Sequence, residues 1–176
     1  ADGVSVKSYK TMDGQRAATV TLANVVVAED QLLNAVGEGM DLVDQVMPSM
    51  LMALSAEALG IMSTLNSITV DYSKTRQQFG SPIGSFQVLQ HRMVDTFMSC
   101  EQAKSMLYRS LCQANECASD ESADKGEFMK SVHALKVTMA KAGKQIGEEA
   151  IQLHGGIGLT DELNIGHFVK RLMTIN

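Results

Sequence analysis

Three long stretches of apolar residues recur at spacings of three and four, and the first and third are closed by glycine. This pattern constrains the chain more than any other feature, because the spacing is the signature of amphipathic helices. The first runs from about Met40 to Gln77, with Val43, Met47, Met50, Leu51, Leu54, Ala58, Ile61, Leu65 and Ile68 on one side. Pro48 lies inside it, so the helix either kinks there or starts near it, where proline is tolerated. Gly80-Ser81-Pro82 ends the pattern. A second helix fits roughly Ser85 to Ala118, with Leu89, Met93, Phe97, Cys100, Met106, Leu107 and Leu111. The residues from Ser119 to Lys125 connect it to a third, roughly Gly126 to Leu153, with Phe128, Val132, Leu135, Met139, Ala142, Ile146 and Ile151. Gly155-Gly156 ends that one. A fourth, shorter helix is expected from Thr160 or Asp161, either of which can cap it, to about Met173. Short connections between long helices make antiparallel neighbours. The predicted fold is mainly α, an up-down-up-down four-helix bundle with a short amino-terminal β segment.

That β segment comes from alternation of period two. Val4 and Val6 alternate with polar neighbours, Met12-Asp13-Gly14 supplies a hairpin turn, and Ala18, Val20 and Leu22 alternate again. Val25-Val26-Val27 can continue the extended chain. Two strands do not make a stable sheet alone, so this segment reads as the remnant of a larger sheet or as an arm on the helices. The chain opens on Ala1 in a strand-like pattern, and the expectation is a piece of a longer protein. The expected division is residues 1–36 as the end of a β-domain and 37–176 as the bundle.

Composition excludes more than it selects. The 176 residues carry a net charge of −5 and no basic stripe, against a general nucleic-acid partner. No apolar run approaches the length of a membrane span, so none is expected. Three cysteines, Cys100, Cys112 and Cys117, show neither metal-ligand spacing nor a disulfide framework, and a reduced cytoplasmic setting is expected. His91, His133 and His167 lie far apart and share no ligand spacing, and the Glu-x-x-His pairs of di-iron bundles are absent, so no metal site is expected. Neither a Ser-His-Asp signature nor a Walker or Rossmann fingerprint occurs.

The chemistry-bearing residues sit at two helix breaks. Arg76-Gln77-Gln78-Phe79-Gly80-Ser81-Pro82-Ile83-Gly84-Ser85-Phe86-Gln87 lies between the first two helices, and Gln152-Leu153-His154-Gly155-Gly156-Ile157-Gly158 follows the third. Each joins backbone freedom to a polar or cationic side chain at a helix end, which suits a phosphate-bearing ligand. Each residue also has a plainer role. Arg76 complements a helix dipole or forks onto a pyrophosphate. Phe79 plugs the bundle or packs beside an adenine. Gln87 caps its own helix or bonds a nucleotide, and Gln90 is more simply solvated. Paired glycines are a common C-cap, and they also let a ligand touch the backbone, within reach of Gln152. His154 reads as structural or partly exposed.

The two motifs, in this order and at this separation, resemble the carboxy-terminal helical domain of the acyl-CoA dehydrogenases. Residues Asp13-Gly14-Gln15-Arg16-Ala17-Ala18 through Val27 look like the last strands of that family's middle β-domain. The resemblance implies FAD as cofactor and an acyl-CoA thioester as substrate, oxidised at its α,β-bond and placing the enzyme in lipid metabolism. It implies that a glutamate takes the α-proton, the flavin takes the β-hydride, and electrons leave to an electron-transfer flavoprotein. It implies a dimer or tetramer, as homo-oligomer or hetero-oligomer, in which the bundle reaches a neighbouring subunit's FAD. The cofactor-binding residues carried over are Arg76, Phe79, Gln87, Gln152, Leu153, His154, Gly155 and Gly156. No catalytic residue is carried over. The family's usual base would fall about three residues beyond Asn176, and the alternative base position is Met50, a thioether. The neighbouring arginine position is Leu51. The 176-residue chain alone is therefore expected to be inert, and a non-catalytic subunit of a heteromeric dehydrogenase is the alternative reading.

Overall fold

A computed structural model describes residues 2–120 and 122–176. The chain divides into two compact units, residues 1–48 and 49–176. In the first, β1 (Val4–Lys10) and β2 (Arg16–Leu22) form an antiparallel hairpin in which Val6 faces Val20 and Lys10 faces Arg16. The turn is where Met12-Asp13-Gly14 predicts it, with Gly14 at φ 81°. The strand side chains are nearly all exposed, as expected of an isolated pair. Val25–Val27 do not extend the sheet; no partner strand follows them in the described residues, and the chain passes through a short 3-10 turn at Glu29–Gln31.

Helix α1 (Gly39–Thr75) starts in the first unit and continues through the second. Pro48 lies within it. A two-residue hairpin, β3 (Gln77–Gln78) with β4 (Ser81–Pro82), leads to α2 (Gln87–Ser119), α3 (Lys125–His154) and α4 (Ile165–Ile175). The long helices match the sequence periodicity to within two residues at each end. In the second unit the bundle core is a single cluster. Ala58, Met62 and Leu65 come from α1, and Cys100, Ala103 and Leu107 from α2. Leu135, Met139, Ala142 and Ile146 come from α3, and Ile165, Val169 and Leu172 from α4. Met62, Leu65, Leu135 and Ile146 are essentially inaccessible. Removing such side chains from water is the main stabilising term, about 1.5–3 kcal/mol for each large one.

Polar contacts set the pairing of the helices. Arg92 on α2 grips Glu149 on α3 with two bonds of 2.7 and 2.9 Å, and Ser99 donates to Gln145 at 2.7 Å. Arg171 on α4 makes a similar fork to Glu57 on α1 at 2.6 and 2.8 Å. Lys136 on α3 donates to the carbonyl of Ile175 and caps the end of α4.

Two expectations need correction. Helix α4 does not start at Thr160 or Asp161. Residues 155–159 form a 3-10 turn, Thr160 Oγ1 donates back to the Ile157 carbonyl at 2.9 Å, and the helix begins only at Ile165. The hydroxyl is spent on closing the turn rather than on a helix end. Secondly, α1 is long and apolar enough to cross a membrane by length and composition. Its apolar character serves the bundle on one side, where Met62 and Leu65 are buried. Only 28% of its most apolar window is buried, so the rest presents apolar surface outward.

Candidate functional site: a cleft between two helix ends

The end of α1 is built around Arg76. Its backbone N–H donates to the Tyr72 carbonyl at 2.8 Å, closing the last turn, and its carbonyl accepts from Ile83 N–H at 2.8 Å, closing the hairpin. The guanidinium is thus anchored at its root and exposed at its tip. Among the described residues nothing ion-pairs with it. The 3-10 turn after the hairpin, Ile83–Ser85, packs tightly on the helix behind it. A Cβ at Gly84 would lie 2.9 Å from Ser73 Oγ and 3.0 Å from the Ser73 carbonyl oxygen. Gly84 is therefore a close-approach glycine.

The end of α3 is the second wall. Gly155 has φ 64°, and its N–H donates to the Ile151 and Gln152 carbonyls. That left-handed turn is open to a glycine and strained for a side chain. Nothing lies within 4 Å of where a Cβ would sit at Gly155 or Gly156, so the backbone there is open to a ligand. Gln152 is exposed, whereas the side chains of Leu153 and His154 are buried.

These two walls meet in a cleft of about 240 Å³ lined by Tyr72, Arg76, Gln78, Ile83 and Gln152 to Gly156. Six of the eight sequence-assigned cofactor residues therefore come together: Arg76, Gln152, Leu153, His154, Gly155 and Gly156. Phe79 and Gln87 do not line it. Phe79 sits at the hairpin tip with φ 55°, 94% exposed, and meets Phe86 edge-on at 6.2 Å. It does not plug the bundle. Gln87 is exposed at the first position of α2, and no side chain caps that helix. Gln90, expected to be merely solvated, donates Nε2–H to the Gly84 carbonyl at 2.8 Å and steadies the turn instead. Tyr72 was not singled out in the sequence; its signal is its position one turn before Arg76 on the same helix face. No group of three or more metal-ligating side chains occurs among the described residues.

A chain that brings these two helix ends to one cleft matches a known family model, described as acyl-CoA dehydrogenase, C-terminal domain, over residues 37–175. The chain belongs to the acyl-CoA dehydrogenase family. Among its relatives is the acyl-CoA dehydrogenase IpdE2 of Mycolicibacterium smegmatis, 34% identical over 97% of this chain and 50% of that protein. A solved FAD-dependent dehydrogenase superimposes with a TM-score of 0.87 at 25% identity, covering 99% of this chain and 45% of that one. The Tcur3481-Tcur3483 steroid ACAD gives 0.80 at 26% identity, covering 99% and 44%. The chain thus spans half or less of the length of the curated relatives it matches.

Proposed function

We propose that the full-length protein is an FAD-dependent acyl-CoA dehydrogenase, an oxidoreductase that introduces an α,β double bond into an acyl-CoA thioester. Residues 1–36 are then the end of a β-domain and 37–176 its helical bundle, which supplies FAD contacts and an oligomer interface. An electron-transfer flavoprotein is the electron acceptor, and three free thiols support a cytoplasmic setting. The observation that carries the reading is the cleft. An anchored guanidinium with an exposed tip faces a glycine turn whose backbone is open, and both suit a dinucleotide pyrophosphate. Arg76 holds the pyrophosphate, and Gln152 with the Gly155–Gly156 backbone bonds the nucleotide part. Phe79 at the hairpin tip and Gln87 at the first position of α2 would extend the contact to the adenine side. Leu153 and His154 shape the turn from beneath. When bound, FAD supplies the acceptor for the β-hydride; this chain's residues bind and orient it.

The test is flavin absorbance per subunit after gel filtration of the full-length assembly. Arg76→Ala is expected to weaken FAD retention about tenfold, equivalent to about 1.4 kcal/mol. Arg76→Lys recovers part of that, because an ammonium lacks the fork. Gln152→Ala has a smaller effect, because a neutral amide makes the weaker bond. Full FAD occupancy in Arg76→Ala, with the assembly intact, sinks the reading.

A second reading has one observation in its favour. Met50, at the position matching the family's alternative base, cannot accept a proton and is 53% exposed, and its neighbour Leu51 carries no charge. The protein would then be the non-catalytic subunit of a heteromeric dehydrogenase. Dye-linked turnover of acyl-CoA by the purified full-length protein alone rejects this alternative; turnover only after adding a second subunit supports it.

A further inference from the structure

His154 is the last residue of α3, yet it is only 4% exposed. Burying an imidazole costs free energy unless its nitrogens are bonded. Nδ1 lies 2.8 Å from the Ala150 carbonyl. That oxygen can only accept, so Nδ1 carries the proton of this bond. Nε2 is buried with no partner among the described residues. For packing alone an aliphatic side chain would therefore be cheaper here. What the ring supplies is a flat face. It stacks on Tyr72 with centroids 4.3 Å apart and planes 28° apart, and the Tyr72 hydroxyl donates to the His154 carbonyl at 3.4 Å. The chain that follows folds back closely, so that a Cβ on Gly158 would lie 3.1 Å from His154 Cβ. The residue is thus held against α1 by its ring and against its own following turn by its Cβ.

We propose that His154 is the positioning residue of the cleft, its stack on Tyr72 fixing the spacing between Arg76 and the Gln152–Gly156 turn. The inference rests on the reading of the cleft as a dinucleotide site. Tyr72 lies one turn before Arg76 on α1, and His154 directly precedes the left-handed Gly155. The stack therefore joins the roots of the two walls. A charge-assisted fork and a backbone turn grip the same ligand only if their separation is held to a fraction of an ångström. His154 touches no ligand in this scheme; it acts through Arg76.

A double-mutant cycle on the FAD affinity of the full-length flavoprotein tests this, with FAD itself as the probe. His154→Ala is expected to weaken FAD about tenfold, and Tyr72→Leu, which removes the other half of the stack, by a similar factor. His154→Phe, which restores a stacking ring without nitrogens, returns affinity to within about threefold of the parent. In an Arg76→Ala background the further loss on His154→Ala shrinks to about twofold or less, because the residue it positions is gone. A role confined to stability lowers the melting temperature equally in both backgrounds and leaves the two losses in FAD affinity additive. Additive losses, or no rescue by His154→Phe, overturn the proposal. If His154→Ala does not fold, Tyr72→Leu in the same two backgrounds decides it. An unchanged FAD affinity in Arg76→Ala alone rejects the cofactor reading itself, which is a different result.

Discussion

Phe79 at the hairpin tip and Gly84 in the 3-10 turn that follows it stand five residues apart and obey opposite rules. Phe79 is a bulky residue at φ 55°, fully in solvent, where an L-residue with a large side chain is strained by about 1–3 kcal/mol. A strained aromatic that buries nothing is kept for something other than stability. Phe79→Asn, which tolerates this backbone region, is expected to raise the melting temperature slightly while lowering flavin retention. A variant that is both more stable and fully loaded with flavin would remove Phe79 from the cofactor contact. Gly84 shows the reverse, an ordinary φ with no room for a side chain. Gly84→Ala forces the 3-10 turn off the Ser73 backbone and should cost about 1–3 kcal/mol, read as a lower denaturation midpoint. The residues of the cleft divide along the same line of legibility. Arg76 and Gly155–Gly156 could be read from sequence because each sits in a local motif whose chemistry is complete within a few residues. Tyr72 and His154 could not be paired, because their stack joins positions 82 residues apart and depends on how two helices align.

At the scale of elements, the helices were legible and their ends less so. The interiors of α1, α2 and α3 follow from period alone, and nearly every α3 residue expected to be apolar and inward is in the core. Ends are decided by single hydrogen bonds, which the same residue types also make in turns. Asp124 passed as part of a polar connection but is the N-cap of α3, accepting from Gly126 N–H at 2.8 Å and Glu127 N–H at 3.1 Å. Thr160 looked like a cap and is not one. Asp124→Ala is therefore expected to cost about 1 kcal/mol, whereas Thr160→Ala has less to lose. Equal urea midpoints for the two variants would show the cap to be unimportant. Between elements, the Arg92–Glu149 fork is partly exposed. The neighbouring carboxylate, through its hydrogen bond and its charge, holds Arg92 even more firmly protonated than usual. In a double-mutant cycle the pair should couple by no more than about 1 kcal/mol, because solvent screens it. The fork then fixes the alignment of α2 on α3 more than it adds stability.

For the whole molecule, the question is what covers the apolar surface the bundle leaves outside. On α2, Val94, Phe97, Met98, Tyr108 and Leu111 are all exposed, at spacings that return to one side of a helix. Two of them, Phe97 and Leu111, were expected from sequence to face inward. The periodicity was correct, but four helices supply only one interior, and a helix with apolar residues on two sides has a second face to bury. An exposed apolar patch of this kind marks an interaction surface more often than a solvated one. A net charge of −5 opposes self-association only weakly at physiological salt, where charges are screened beyond about 8 Å. The full-length protein is therefore expected to be an oligomer, with a two-fold dimer as the simplest unit. Phe97→Glu should act on association alone. Phe97 is 59% exposed, so a charge there stays in water and the fold should survive with unchanged circular dichroism. The molar mass measured by light scattering should fall toward that of a monomer, and more steeply on dilution than for the parent. If the parent is strictly monomeric at high concentration, the surface serves no partner copy. If Phe97→Glu leaves the parent's mass intact, the interface lies elsewhere on the molecule.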